Sequence, residues 1–368
     1  MTKAGGKAMS HLPETMDEVT LSWLEGVLAG HPAFDGARIS QIRKTPVGEG
    51  VGQMSAIARL ELGYDGKAGP PSVVVKLHAP FQGMRDVGIR YEMYARETAF
   101  YQSLAPEVTV SVPTIYFAGW DPDSTRNALV MEDMSGRYWP DQLSGHSLEQ
   151  TQCCVDAIAR IGASHWGADF AAHDWLPDSH APVIQRIVGD YQMAAPVALE
   201  RLASFTTPES TAACERIAKN ITWIYEALAE PPLILTHFDT RMENFVFANR
   251  RSSELSLIDW QLMARLRPGY DIAYFLGTSI PEEMRRDHQA ALRARYLEGL
   301  KAGGVRDYDE GRFDIDFRLG TMAMTVIPIL GGASFDTSNG RSVALFGAIL
   351  ARSMASVLDN RCLELLPN

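Results

Sequence analysis

The pattern of apolar residues changes character near residue 136, and that change limits the folds open to the chain. Before it, short β-branched and alternating runs are separated by glycine and proline turns, the pattern of antiparallel strands. "ISQIRKTPVGEGVGQMSAIARLELGYDG" predicts a strand, a glycine loop, a second strand and a turn, and "PPSVVVKLHAP" a third strand that carries Lys76. "GIRYEMYARETAFYQSLAP" has helical spacing, with Tyr94, Phe100, Tyr101 and Leu104 apolar and Pro106 as the stop. "PTIYFAGWDPDSTRNALVMEDMSG" reads as two strands joined by an Asp-Pro-Asp-Ser turn. After residue 136, "SLEQTQCCVDAIARIGASHWG", "APVALERLASF" and "AACERIAKNITWIYEALAE" predict amphipathic helices, and the pattern from about Asp271 onward is again largely helical. The order predicts an α+β chain of two lobes: residues 1–135 small, antiparallel and β-rich with one helix, residues 136–368 larger and mainly helical. Length points the same way, because 368 residues exceed what one hydrophobic core usually organises.

One β insert breaks the helical half. "PLILTHFDTRMENFVF" places two apolar runs, a hairpin by this pattern, around a cluster of His, Asp, Arg, Glu and Asn, and "LSLIDWQ" follows. Asp239 and Asn244 stand five positions apart, and Asp259 follows twenty residues after Asp239. A carboxylate at the end of a buried strand is costly unless a cation or hydrogen bonds compensate it. An Asp and an Asn oxygen suit a hard cation such as Mg²⁺, which keeps several waters and shares phosphate oxygens. Asp239 would then orient an attacking hydroxyl or accept its proton, with His237 bracing the loop. Taken singly, each residue is better explained by an Asx-rich turn. The spacing is what points to chemistry.

Charge and cysteine content narrow the partners. With 34 Lys+Arg against 45 Asp+Glu, the formal net charge of −11 argues against non-specific binding to nucleic acid or an anionic membrane. Cys153, Cys154, Cys214 and Cys362 show no metal-ligand spacing, which suits small apolar side chains in a reducing compartment. "MTKAGGKAMSHLPETMDEV" lacks the apolar centre of a signal peptide, and "LGTMAMTVIPILGG" is too short to span a bilayer. A cytoplasmic protein with no membrane and no nucleic-acid partner is expected.

"HFDTRMENFVF" followed by "LSLIDWQ" resembles the catalytic and metal-binding loops of the protein-kinase-like phosphotransferases. Within them it is most similar to the aminoglycoside phosphotransferase and choline kinase group, whose usual form is His-Gly-Asp-x4-Asn and then Ile-Asp-Trp or Ile-Asp-Phe. "IDWQ", "GYDIAYFLG" and "RETAFYQSL" resemble the ecdysteroid-kinase-like branch of that group. The resemblance implies a two-lobe kinase-like fold with a nucleotide-binding N-lobe ending at a hinge. It implies ATP and Mg²⁺ as cofactors and a small-molecule alcohol as acceptor. Asp239 would be catalytic, and Asn244 and Asp259 would bind the metal. Lys76 would hold the nucleotide's phosphates, paired with a helical Glu: Glu97 first, Glu92 second. Gly48, Gly50 and Gly52 would cover the phosphates, although Gln53 interrupts the glycine pattern. Glu132 and Met134 would meet adenine through their main chain, and Asp271 would support the catalytic loop or cap its own helix.

Phe238 stands where the group usually has Gly, which implies a bulkier loop and a more apolar pocket beside it. Arg241 and Glu243 would pair with each other or touch a substrate. His165 reads as a packed core histidine. Two other functions share these motifs. A protein kinase of unusual form is disfavoured: no Asp-Phe-Gly is present, no Ala-Pro-Glu follows Asp259, and only eleven residues separate Asp259 from Asp271. A nucleotide-binding pseudokinase is disfavoured because the residues such a protein tends to lose are all present. A metallohydrolase built on His237 and Asp239 lacks the further ligands such a site needs.

Overall fold

The structure, a computed structural model, describes residues 11–48, 54–335 and 338–367. It divides into two units, Met1–Pro106 with Val112–Gly136, and Glu107–Ser111 with Arg137–Asn368.

In the first unit, β1 (Ile39–Pro46), β2 (Ser55–Tyr64), β3 (Ser72–His78), β4 (Ile115–Asp121) and β5 (Arg126–Glu132) form one antiparallel sheet. Its order is β1-β2-β3-β5-β4. The valine run of β3 explains its central place: β-branched side chains suit a pleated strand flanked on both edges. Val73, Val75 and Leu77 bury one face with Leu60, Leu62, Ala128 and Val130. Strand alternation puts Lys76, between Ile57 and Leu129 in register, on the other. Helix α1 (Leu21–Leu28), capped by the Thr20 hydroxyl at 3.2 Å from the Trp23 amide, adds Leu24 and Leu28 to this core.

The single helix expected after β3 is two. Helix α2 (Gln82–Arg90) and α3 (Met93–Ala99) meet at Glu92, which takes a left-handed conformation, φ 55°. The break turns Tyr94 close under Gly88, where a Cβ would lie 2.4 Å from the ring. There the Tyr94 hydroxyl accepts the Ala79 amide at 3.0 Å and donates to the Met54 carbonyl at 3.1 Å. A π-helical turn, Phe100–Leu104, and a 3-10 turn, Ala105–Glu107, carry α3 through Pro106, so the proline does not stop the helical stretch.

The second unit is built from α4 (Leu148–Ser164), α5 (Pro182–Arg201), α6 (Pro208–Ala227), α7 (Gly269–Thr278), α8 (Glu282–Ala302), α9 (Glu310–Ala323), α10 (Val326–Ser334) and α11 (Gly340–Asp359). Capping boxes at Ser147/Gln150 and Thr207/Ser210 start α4 and α6. Helix α5 begins well before the predicted segment and runs through Pro196. Four three-residue strands, β6 (Ile234–Thr236), β7 (Phe245–Phe247), β8 (Leu255–Leu257) and β9 (Ala264–Leu266), carry the polar insert. The expected hairpin of β6 and β7 is replaced by two ribbons: β6 pairs with β9, and β7 with β8. Strands of three residues hold few hydrogen bonds, so partners distant in sequence decide their pairing.

Every residue of α7 is buried. It touches α9 backbone to backbone: a Cβ on Gly269 would lie 2.3 Å from the Asp316 carbonyl carbon, and one on Gly320 2.8 Å from the Tyr270 Cα. Helix α11 is long and apolar enough to cross a membrane by length and composition, with mean hydropathy 1.4, but half of that window is buried in the unit. Cys154, Cys214 and Cys362 are buried and Cys153 half-buried, all as free thiols.

Candidate active site

The loop from His237 to Asn244 is held from α7. Asp271 lies in the first turn of that helix, whose cap position is Pro268. Instead of capping, its carboxylate accepts the His237 amide at 2.7 Å and the Phe238 amide at 3.0 Å. The Thr240 hydroxyl donates to the Asp271 carbonyl at 2.8 Å. Burial pushes the Asp271 carboxyl up to about 7, against the pull of those two amides. His237 lies edge-on to Trp260, ring centroids 4.7 Å apart, and its Nε2–H donates to the Ile258 carbonyl at 2.9 Å. Burial lowers its pKa, so the neutral ring braces the loop.

Phe238 is in the left-handed region, φ 73°, with its ring 1% exposed and packed on Tyr270 at 4.8 Å. The apolar pocket expected from this residue is therefore corrected: the phenyl group belongs to the core. The left-handed backbone at this position also explains why a glycine suits it in the group that the motif resembles.

Asp239 is buried, and both its oxygens face donors. Oδ1 accepts the Tyr274 hydroxyl at 2.6 Å, and Oδ2 lies 3.4 Å from the Arg241 guanidinium. Burial works against the charge on Arg241, but Asp239 and Glu243 more than offset it and raise its pKa. Arg241 and Glu243 do pair, at 3.8 Å. Glu243 is also 3.1 Å from Arg341 at the start of α11, which holds Asp141 at 2.6 Å. The Met242 amide donates to Gln142 Oε1 and Ser279 Oγ, each at 3.0 Å.

Asn244 donates its amide N–H to the Asp239 carbonyl at 2.7 Å, which fixes the side chain and leaves its amide oxygen out of that bond. The Ile258 amide donates to the Asn244 carbonyl at 3.0 Å, tying this loop to the one that carries Asp259. Asp259 follows β8 at φ 67°, and Gln261 donates to its Oδ2 at 3.2 Å. An amide oxygen and a carboxylate form a hard donor set that fits Mg²⁺. Among the described residues no group of three His, Cys, Asp or Glu could hold a metal, so a zinc-type site has no counterpart.

In the first unit, Lys76 Nζ and Glu97 Oε1 are 2.7 Å apart, with the residues 8% and 1% exposed. Glu97, the glutamate ranked first, makes this contact, and Glu92 stands where the helix breaks. Gly48 takes φ 72°, while Gly50 and Gly52 lie outside the described residues. At the end of β5 the Glu132 amide donates to the Thr114 carbonyl at 2.9 Å, which removes that donor from the groups a base could meet. Met134 is buried. Between them, Asp133 accepts from Ser72 at 2.6 Å, the Ser135 amide at 2.9 Å and Arg59 at 2.5 Å. Partial burial works against its charge, yet these donors hold its carboxyl well below the usual range.

Sequence reasoning missed Tyr274, Arg341, Gln142 and Asp133. Only the i, i+3 spacing of Asp271 and Tyr274 on one helix face could have signalled any of them. His165 is buried, stacked on Phe170 with ring centroids 6.1 Å apart.

Solved structures share this fold. A protein of Ralstonia eutropha provisionally named an aminoglycoside phosphotransferase is 17% identical, with 96% of this chain and 99% of that one covered and a TM-score of 0.55. Choline kinase of Cryptosporidium parvum is 12% identical over 94% and 95%, TM-score 0.55. Ethanolamine kinase of Plasmodium vivax is 11% identical over 95% and 90%, TM-score 0.51. At these identities the likeness is one of fold, the two-lobe kinase-like α+β architecture. No curated protein matches the sequence. The sequence model of the ecdysteroid kinase-like family matches residues 49–304, more than half of the chain. The chain belongs to the ecdysteroid kinase-like family.

Proposed function

We propose that this protein is an ATP- and Mg²⁺-dependent phosphotransferase that moves the γ-phosphate to a hydroxyl of a small molecule. The observation that carries the reading is the 237–244 loop: Asp239 is pinned from α7 and joined through Asn244 to the Asp259 loop. The family, and neighbours named as choline and ethanolamine kinases, support the same reaction class. Asp239 aligns the acceptor hydroxyl and takes its proton. The hydroxyl oxygen forms the new bond to the γ-phosphorus while the bond to the ADP oxygen breaks, and the proton passes from Asp239 to solvent. Lys76, held by Glu97, would bind the nucleotide's phosphates. Asn244 and Asp259 would hold Mg²⁺, which neutralises phosphate charge in such reactions. Most of the rate would come from alignment, because phosphoryl transfer asks little covalent chemistry of the protein. The free cysteines fit a cytoplasmic enzyme.

The test is thermal unfolding of the wild type and Asp259→Ala, each with Mg²⁺ alone and with Mg²⁺ and ATP. Ligand at one hundred times its Kd stabilises by about 2.7 kcal/mol. A shift with Mg²⁺–ATP in the wild type that is lost in the variant supports the reading. No shift across a saturating range of ATP overturns it.

A further inference from the structure

Tyr274 has no place in the reaction described so far, yet its hydroxyl is the shortest neutral contact to the proposed base. It lies in the middle of α7, fully buried, 2.6 Å from Asp239 Oδ1. Asp271, three positions earlier and on the same helix face, holds the backbone amides of His237 and Phe238. One helical turn thus grips the loop twice, by main chain and by carboxylate. The grip is rigid. Gly269 and Gly320 let α7 and α9 touch at their backbones, and the Thr278 hydroxyl donates to the Tyr274 carbonyl at 2.7 Å. A carboxylate rotates freely about χ2 unless something fixes one oxygen.

We propose that Tyr274 is a positioning residue for catalysis: by holding Asp239 Oδ1 it sets the carboxylate plane and leaves Oδ2, beside Arg241, to receive the acceptor hydroxyl. This rests on the phosphotransferase reading above. Two donors on one carboxylate hold it well aimed. That suits a loose transition state, in which the incoming hydroxyl has formed little of its new bond and needs orientation before it needs deprotonation. A tyrosine that merely satisfied a buried carboxylate would matter to stability alone.

The experiment uses the full chain with Mg²⁺–ATP and water as acceptor, read as phosphate release, for the wild type and Tyr274→Phe. In parallel, a thermal-unfolding cycle of Tyr274→Phe, Asp239→Ala and the double variant, without nucleotide, reports whether hydroxyl and carboxylate interact. The expected result is a kcat lower by about tenfold to a hundredfold, with KM for ATP within about twofold of wild type. The double variant should also be less destabilised than the sum of the singles. A wild-type kcat in Tyr274→Phe overturns the proposal, as do additive shifts in the unfolding cycle. A fall in kcat matched by an equal rise in KM for ATP also overturns it, because loss of nucleotide binding is general damage. A wild type that neither binds nor hydrolyses ATP overturns the kinase reading, and this proposal with it; the wild-type rate separates that failure from the others.

Discussion

At Phe238 a large side chain sits at a backbone angle that favours glycine. A left-handed conformation costs a non-glycine residue about 1–2 kcal/mol. The ring offsets that by packing on Tyr270 inside the core, and truncation of a buried phenylalanine costs about 3–5 kcal/mol. Phe238→Gly should therefore relieve strain and still lose about 1–4 kcal/mol of stability, the difference of the two terms. Chemical denaturation measures it, and a variant as stable as the wild type would show that strain dominates. The same residue shows what the sequence could and could not convey. Asp239, Asn244 and Asp259 were legible because polar groups between apolar strands require a reason. Phe238 misled, since its chemistry suggested a pocket while its φ angle, invisible in the sequence, directs the ring inward. Tyr274 was hidden for the opposite cause: in a largely apolar helix a tyrosine reads as core, and only the fold brings its hydroxyl to a carboxylate.

Helix α7 is the element on which the candidate site depends, and its joint with the 237–244 loop should respond to pH. Asp271 has a carboxyl pushed from an ordinary 3.8 up to about 7 by burial. The folded state thus binds that proton more tightly than the unfolded state, so its contribution to stability is complete below about pH 4 and disappears as pH rises to 7. His237, lowered by burial, works in the other sense, with its contribution full above the ordinary 6.5 and lost as pH falls. Asp271→Asn separates them, because it leaves His237 in place. Thermal unfolding of both proteins between pH 4 and 7.5 should show the wild type losing stability relative to the variant as pH rises. A relative gain instead would mean that the two amide donors keep Asp271 ionised throughout. Helices α4 and α6 were readable because an amphipathic pattern is a local signal. The α2–α3 break and the β6–β9 pairing were not, since each is set by partners distant in sequence: Tyr94 reaching Ala79, and Ile234 pairing with Leu266.

For the whole molecule, the reading demands that fold and function be separable, and Lys76 with Glu97 allows the separation to be measured. The pair is buried at 2.7 Å in the sheet-bearing unit, while Asp239, Asn244 and Asp259 belong to the helical one. Removing one partner of a buried pair leaves an uncompensated charge and costs about 3–5 kcal/mol, whereas replacing both by apolar groups is often neutral. Lys76→Met should therefore lower the melting temperature clearly, and Lys76→Met with Glu97→Leu should recover most of the loss. If Lys76 serves only the sheet, the recovered double variant should regain stabilisation by Mg²⁺–ATP along with its fold. If it holds phosphates, the double variant should be as stable as the wild type without nucleotide and gain nothing from it. The second outcome is expected. A nucleotide shift that survives in the double variant would show that ATP binds without Lys76 and remove that residue from the machinery.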